Sequence, residues 1–165
     1  MGADNQQERL KIMGWIVGFI DGEGCFSITV QKSPNTKLGW QVFPEFVVTQ
    51  GEKSLQALRN VKDFFKCGNI FINKRYDNHK EHLYRYCVRS IKDIKEKIIP
   101  FFVENQLQTA KKGDFEIFTK VIEMIEQRQH LTLNGIRKIA HFVQKMNRKK
   151  PSKFLDSSET VRRTS

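Results

Sequence analysis

The chain has 165 residues, 39% hydrophobic and 28% charged, and its 29 Lys and Arg against 18 Asp and Glu leave a formal net charge of +11. That apolar share is enough to bury a core and excludes a disordered basic chain, while the length suits one domain with tails. No uncharged apolar run is long enough to span a bilayer, no helical stretch carries a dense basic face suited to a membrane surface, and the excess positive charge points to a polyanion, nucleic acid first.

The first residues, Met1 to Glu8, lack the basic and then apolar order of a secretory leader, so none is expected. Cys25, Cys67 and Cys87 are scattered and form no CxxC pair. They support neither a zinc site nor a disulfide framework, and they read as thiols of a reducing, intracellular compartment.

In chain order, a helix is expected from about Asn5 to Ile20, where Ile12, Ile16, Phe19 and Ile20 recur at helical spacing. A hairpin follows over about 26–50. Phe26, Ile28 and Val30 alternate with Ser27, Thr29 and Gln31, the turn lies at 33–37, and Pro44 marks the return strand as an edge or a bulge. Leu55, Leu58, Val61, Phe64 and Phe65 predict a second helix over about 54–65, stopped by Cys67-Gly68-Asn69.

A second hairpin is expected over 70–90. Period two puts Phe71, Asn73, Arg75, Arg85, Cys87 and Arg89 on one face and Ile70, Ile72, Tyr84, Tyr86 and Val88 on the other. His79 and His82 at its turn read as solvated rather than as a metal pair. Ser90 is placed to cap a helix over 91–104 with a break or kink at Pro100. Further helices are expected over about 112–129 and 133–146, the latter capped by Thr132. The organisation is thus one domain over 1–146 and a basic tail over 147–165, expected either as a disordered segment or as an arm clasping phosphates.

The first helix ends unusually. Gly14 and Gly18 lie four apart within an apolar stretch, where each costs about 1 kcal/mol relative to alanine. Two glycines on one face suit the close approach of another backbone, either a second copy of the helix or the chain's own sheet. Asp21 and Glu23 then fall at the helix C-terminus, where the macrodipole disfavours anions by about 0.3–1 kcal/mol each. Backbone N–H groups of the glycine-rich turn are the expected partners of Asp21, and a divalent cation is the expected partner of Glu23, unless both are solvated turn acids. If the glycines mediate a two-fold contact, each copy brings one Glu23 to the axis, and hard cations such as Mg²⁺ would relieve the repulsion.

The run Ile16-Val17-Gly18-Phe19-Ile20-Asp21-Gly22-Glu23-Gly24 resembles the signature of the LAGLIDADG homing endonucleases. Phe46 to Gln50, Ile99 to Phe102 and Lys111 to Phe115 are also similar to stretches of that family. The resemblance implies an α+β fold of order αββαββα, with an antiparallel sheet forming a saddle and the helices packed on one face. It implies an intron-encoded, site-specific DNA endonuclease. One signature implies a homodimer that cuts both strands of a long pseudo-palindromic site, leaving 3′ overhangs.

Carried over by residue, the resemblance implies Glu23, with Gly22 beside it, at the metal; Asp21 as a structural acid; and Gly14 and Gly18 at the dimer contact. Gln50 and Lys111, or Lys112 in its place, are implied near the attacking water. The implied cofactor is Mg²⁺ or Mn²⁺, with Ca²⁺ binding but not supporting cleavage. Val17 departs from the small residue usual in the signature.

The residue chemistry suits duplex DNA. Ser27, Thr29, Gln31, Gln41, Asn73, Arg75, Arg85 and Arg89 are fit to read base edges, and Lys32, Lys37, Lys74 and Lys80 to touch phosphates. The alternatives on the same scaffold are an RNA-binding maturase and a DNA-binding protein without catalysis; neither needs to keep both acids.

Overall fold

The computed structural model describes residues 3–74, 76, 81–146 and 152–157. The elements are α1 (Ala3–Glu23), β1 (Gly24–Lys32), β2 (Trp40–Gly51), α2 (Leu55–Phe65), β3 (Asn69–Asn73), β4 (Leu83–Val88), α3 (Ile91–Asp93), α4 (Ile99–Glu104), α5 (Lys111–Glu126) and α6 (Leu133–Gln144). Short 3₁₀ turns occupy Glu52–Ser54 and Gln129–Leu131, and a π-helical turn, Ile94–Ile98, joins α3 to α4. The four strands form one sheet in the order β1-β2-β4-β3. This is the α+β, αββαββα arrangement that the sequence implies.

The chain divides into two compact units, one of residues 1–25 and 45–112 and the other of 26–44 and 113–165. In the first, β2 and β3 both pair antiparallel with β4, in registers that include Phe46↔Val88, Val48↔Tyr86 and Ile70↔Tyr86. Phe46, Val48, Tyr86 and Val88 are fully buried, with Leu58 and Val61 of α2 and Phe102 of α4. Phe46 meets Phe65, Tyr86 and Phe102 at ring separations of 6.2, 6.2 and 6.0 Å. Such pairs add about 0.5–1.5 kcal/mol each beyond the area they bury.

The residues alternating with these (Glu45 and Val47 on β2, Arg85 and Cys87 on β4, and Arg89 just past its end) belong to the opposite face. Burial pushes the Cys67 and Cys87 thiols up from their ordinary pKa, and burial likewise pushes the Tyr86 hydroxyl up. No disulfide joins the three cysteines.

In the second unit, β1 places Phe26 and Ile28 inward and Thr29 and Gln31 outward, the period-two pattern of its sequence. Phe26 lies 5.1 and 5.4 Å from the rings of Phe115 and Phe118 on α5. Thr132 caps α6 by accepting from the Gly135 N–H.

Some expectations change in detail. Pro44 does not interrupt β2, which runs unbroken from Trp40 to Gly51. The β2/β4 ladder begins at Phe46, so Pro44 lies where β2 has no β4 partner and a missing N–H costs least. Pro100 does not break its helix either. The chain widens into a π turn in which the Ile99 N–H reaches the Ile94 carbonyl, so the helix absorbs the proline's missing donor and continues. Ile12 and Ile72 were expected inward but are 45% and 46% exposed.

Of the basic tail, only 152–157 is described. Phe154 and Leu155 are buried there, and Trp40 meets Phe154 edge-on at 5.0 Å, so these two side chains add to the core of their unit. Arg148, Lys149, Lys150, Arg162 and Arg163 lie outside the described residues, as do Arg75, His79 and Lys80.

Gly68 shows how tightly the first unit is built. Its φ is +75°, and a Cβ there would sit 2.7 Å from the Cys87 carbonyl oxygen and 2.8 Å from the Tyr86 ring. Gly68→Ala is expected to cost about 3 kcal/mol from strain and overpacking together. Urea unfolding should show a lower midpoint at unchanged slope.

Candidate active site

The last turn of α1 carries two acids, and the structure resolves how it tolerates them. Lys111, the first residue of α5, sends its Nζ back to donate to the carbonyl oxygens of Ile20 and Asp21, each at 2.9 Å. An ammonium on terminal helix carbonyls satisfies acceptors that otherwise lack a partner and offsets the negative end of the macrodipole.

Asp21 turns its carboxylate to the segment before α5. The Thr109 hydroxyl donates to Oδ1 at 2.6 Å, the Gln108 N–H to Oδ2 at 2.8 Å, and the Thr109 N–H to both oxygens at 3.2 Å. Burial alone would raise its pKa. The Thr109 hydroxyl, the two amides and the Lys111 charge outweigh that and hold Asp21 below the usual carboxylate value. The expected donors, a glycine-rich turn, do not serve it, because no such turn forms. Gly22 is still helical and Gly24 already begins β1. Gly24 permits this abrupt junction: a Cβ there would sit 2.6 Å from the Ile20 side chain and 2.8 Å from its carbonyl oxygen.

Asp21 is thus committed to the protein, and Glu23 is not. Glu23 is exposed at the end of α1, and among the described residues its carboxylate has neither hydrogen-bond donor nor ion-pair partner. Gln50 lies opposite Tyr84, one pair from the end of the β2/β4 ladder, and is half-buried. Of the two candidate lysines, Lys111 reaches α1, whereas Lys112 donates to Gln106 Oε1 at 2.9 Å. Thr109, which bonds both Asp21 and the Lys111 N–H, is not among the residues singled out from the sequence. Its signal is faint, since nothing in the sequence pairs position 109 with position 21.

Gly14 and Gly18 are exposed, and nothing lies within 4 Å of where a Cβ would be on either. Leu10, Ile12 and Trp15 on the same helix are 60%, 45% and 41% exposed. Of the two readings of the glycine pair, packing against the chain's own sheet is not what the structure has.

The candidate base readers fall on both hairpins. Thr29, Gln31, Lys32, Lys37 and Gln41 are exposed and Ser27 is half-buried, with the Lys32 ammonium 5.9 Å from the centre of the Trp40 ring. On the second hairpin Asn73 and Lys74 are exposed. Arg85 and Arg89 are not independent solvated cations, because both are ion-paired to Glu45. The sequence does hold a trace of this: a lone acid inside the run Phe43 to Val48, and arginines at alternate positions of the partner strand.

Residues 16–122 match the family model described as LAGLIDADG endonuclease. A probable intron-encoded endonuclease of Neurospora crassa is 34% identical over 126 residues, which is 76% of this chain and 27% of that protein. The chain therefore spans about a quarter of the length of such curated relatives. The crystal structure of the homing endonuclease I-TnaI is similar with a TM-score of 0.78 at 34% identity, over 90% of this chain and 97% of that one. I-SmaMI, solved bound to an uncleaved DNA target in the presence of calcium ions, matches with a TM-score of 0.74 at 30% identity, over 82% of this chain and 44% of that one.

Because the Asp21 pKa is lowered on folding, its stabilisation is present above the ordinary carboxylate pKa and is lost as pH falls through the lowered value. Thr109→Val removes the shortest of these hydrogen bonds, at a cost of about 1–2 kcal/mol. NMR titration should find the Asp21 pKa raised in the variant, and thermal melts should show that it loses less stability on acidification than wild type, the loss being complete at a higher pH.

Proposed function

The chain belongs to the LAGLIDADG endonuclease family, and on that footing we propose that it is an intron-encoded homing endonuclease that cuts both strands of a long, pseudo-palindromic DNA site. In this reading it acts as a homodimer, depends on a divalent cation and leaves 3′ overhangs. The observation that carries the reading is the contrast between the two acids: Asp21 is held by four hydrogen bonds, while Glu23 stands exposed and uncommitted one residue before a strand.

A carboxylate and a backbone carbonyl are hard oxygen donors, so Glu23, with Gly22 beside it, suits Mg²⁺ or Mn²⁺; Ca²⁺ is expected to bind without supporting cleavage. Among the described residues no three His, Cys, Asp or Glu side chains gather. One chain thus offers a single carboxylate, and phosphate oxygens, water and a second copy's Glu23 would complete the set. Such a cation, when bound, makes water more acidic and offsets charge on the leaving oxygen. The chain's own residues do the positioning. Lys111 holds the last carbonyls of α1 and so steadies Glu23, and the Gln50 amide offers both a donor and an acceptor to an attacking water.

The open glycine face of α1 supports the dimer, since two such faces can meet backbone to backbone. Ser27, Thr29, Gln31, Gln41, Asn73, Arg75, Arg85 and Arg89 are proposed to read base edges, and Lys32, Lys37 and Lys74 to hold phosphates. Symmetric half-sites then lie about one helical turn apart. With three cysteines and no disulfide among them, the proposed setting is a reducing compartment holding the target DNA.

The test is to incubate the protein with a randomised duplex library in Mg²⁺ or Ca²⁺ and to sequence the ends. Paired breaks at one motif, in Mg²⁺ only, are expected. Binding without cleavage would favour a DNA-binding protein without catalysis, and selective RNA binding a maturase. Glu23→Gln should lower cleavage by about a thousandfold or more while specific binding persists; full cleavage by that variant defeats the assignment. Gly14→Leu with Gly18→Leu should sediment as a monomer on the matched duplex and lose double-strand cutting. A single wild-type protomer severing both strands would defeat the dimer.

A further inference from the structure

Glu45 has no part in the mechanism above, yet it is the one buried polar or charged residue among those described, at 8% exposure. A carboxylate taken out of water must be paired, and Glu45 is paired twice. Its Oε1 accepts from Arg85 Nη2 at 3.0 Å, and its Oε2 accepts from Arg89 Nε. The two arginines stand four residues apart, Arg85 on β4 and Arg89 just past its last residue, and strand alternation puts both on the side opposite the aromatic core. Between them lies Cys87, itself buried. The Arg89 guanidinium is also 5.3 Å from the centre of the Phe71 ring. Bridging does not bury the arginines, whose side chains remain 38% and 46% exposed.

We infer that Glu45 is a positioning residue that holds Arg85 and Arg89 as a preset pair and thereby sets the base preference of the DNA site where these arginines meet it. The inference rests on the DNA-cleaving reading and adds to it the residue that orients two of its readers. An unbridged arginine spreads over many rotamers, and ordering it only on binding weakens discrimination. Fixed by a shared carboxylate, each guanidinium is offered to the duplex in one orientation, which suits the paired acceptors of guanine in the major groove. The bridge also leaves the three residues with a net charge of +1. That weakens sequence-blind attraction to phosphates relative to base contacts.

The experiment measures binding of the full chain, in Ca²⁺, to its library-selected duplex and to every single-base-pair variant of it. Glu45→Gln removes the charge, and Glu45→Asp keeps the charge but shortens the reach. Both are expected to lose about tenfold of discrimination at the same few G·C pairs while the other positions keep theirs. Arg85→Lys should lose discrimination at a subset of those pairs. An unchanged profile in both Glu45 variants, or a uniform affinity change at every position, overturns the inference. If neither Glu45 variant folds, Arg85→Lys decides alone, and a profile equal to wild type overturns it. Wild type that selects no duplex at all defeats the underlying DNA reading instead, a result separable from every other.

Discussion

An α-helix that ends in carboxylates places negative charge at the negative end of its own dipole, and α1 does so twice within three residues. The structure answers with one short segment. Residues 108–111 bring two amides, a hydroxyl and an ammonium to the end of α1, with the carboxylate of Asp21 and the carbonyls of Ile20 and Asp21 as acceptors. Every charge introduced by Asp21 is thereby met within the protein. What remains is one exposed carboxylate on a rigid stem, since Glu23 lies between the clamped turn and a strand that starts without a loop. A group proposed to meet a cation and a phosphate has to be both uncommitted and held in place. The segment before α5 supplies the second condition by absorbing the other acid.

The same division of labour recurs on the sheet of the first unit. Phe46, Val48, Tyr86 and Val88 fill one face and pack with the aromatic rings of α2 and α4. Their alternates on the other face include a buried acid between two partly exposed arginines. Period two produces this separation, because successive side chains of a strand point to opposite faces of the sheet. Glu45 therefore shares a face with the two cations it pairs and lies apart from the aromatic core.

Much of the architecture was legible in the residues. Alternation in Phe26 to Gln31, helical spacing in Leu55 to Phe65 and Phe115 to Ile122, and Ser90 and Thr132 as caps all appear where local pattern places them. These signals are local, and the elements they specify are amphipathic, so neighbouring side chains carry the information. The elements that differed were those governed by partners. Pro44 continues a strand because of where β4 ends, and Pro100 continues a helix because the turn before it widens. Phe154 and Leu155 are buried in a segment that charge content alone reads as solvated.

By itself, the sequence determined the order of elements, the polyanion preference implied by a net charge of +11, and the signature with its two acids and two glycines. It also narrowed the basic residue of the site to a pair of adjacent lysines. Only the tertiary structure decided which acid is committed and which is open, which lysine reaches α1, and that among the described residues nothing packs onto Gly14 and Gly18. The reason is distance along the chain: the partners of Asp21 lie 87 and 88 residues away, and those of Glu45 lie 40 and 44 away. Periodicity and composition describe what a residue's neighbours in sequence require. A carboxylate's role depends on which donors the fold delivers to it from elsewhere, and that is settled only when the elements pack.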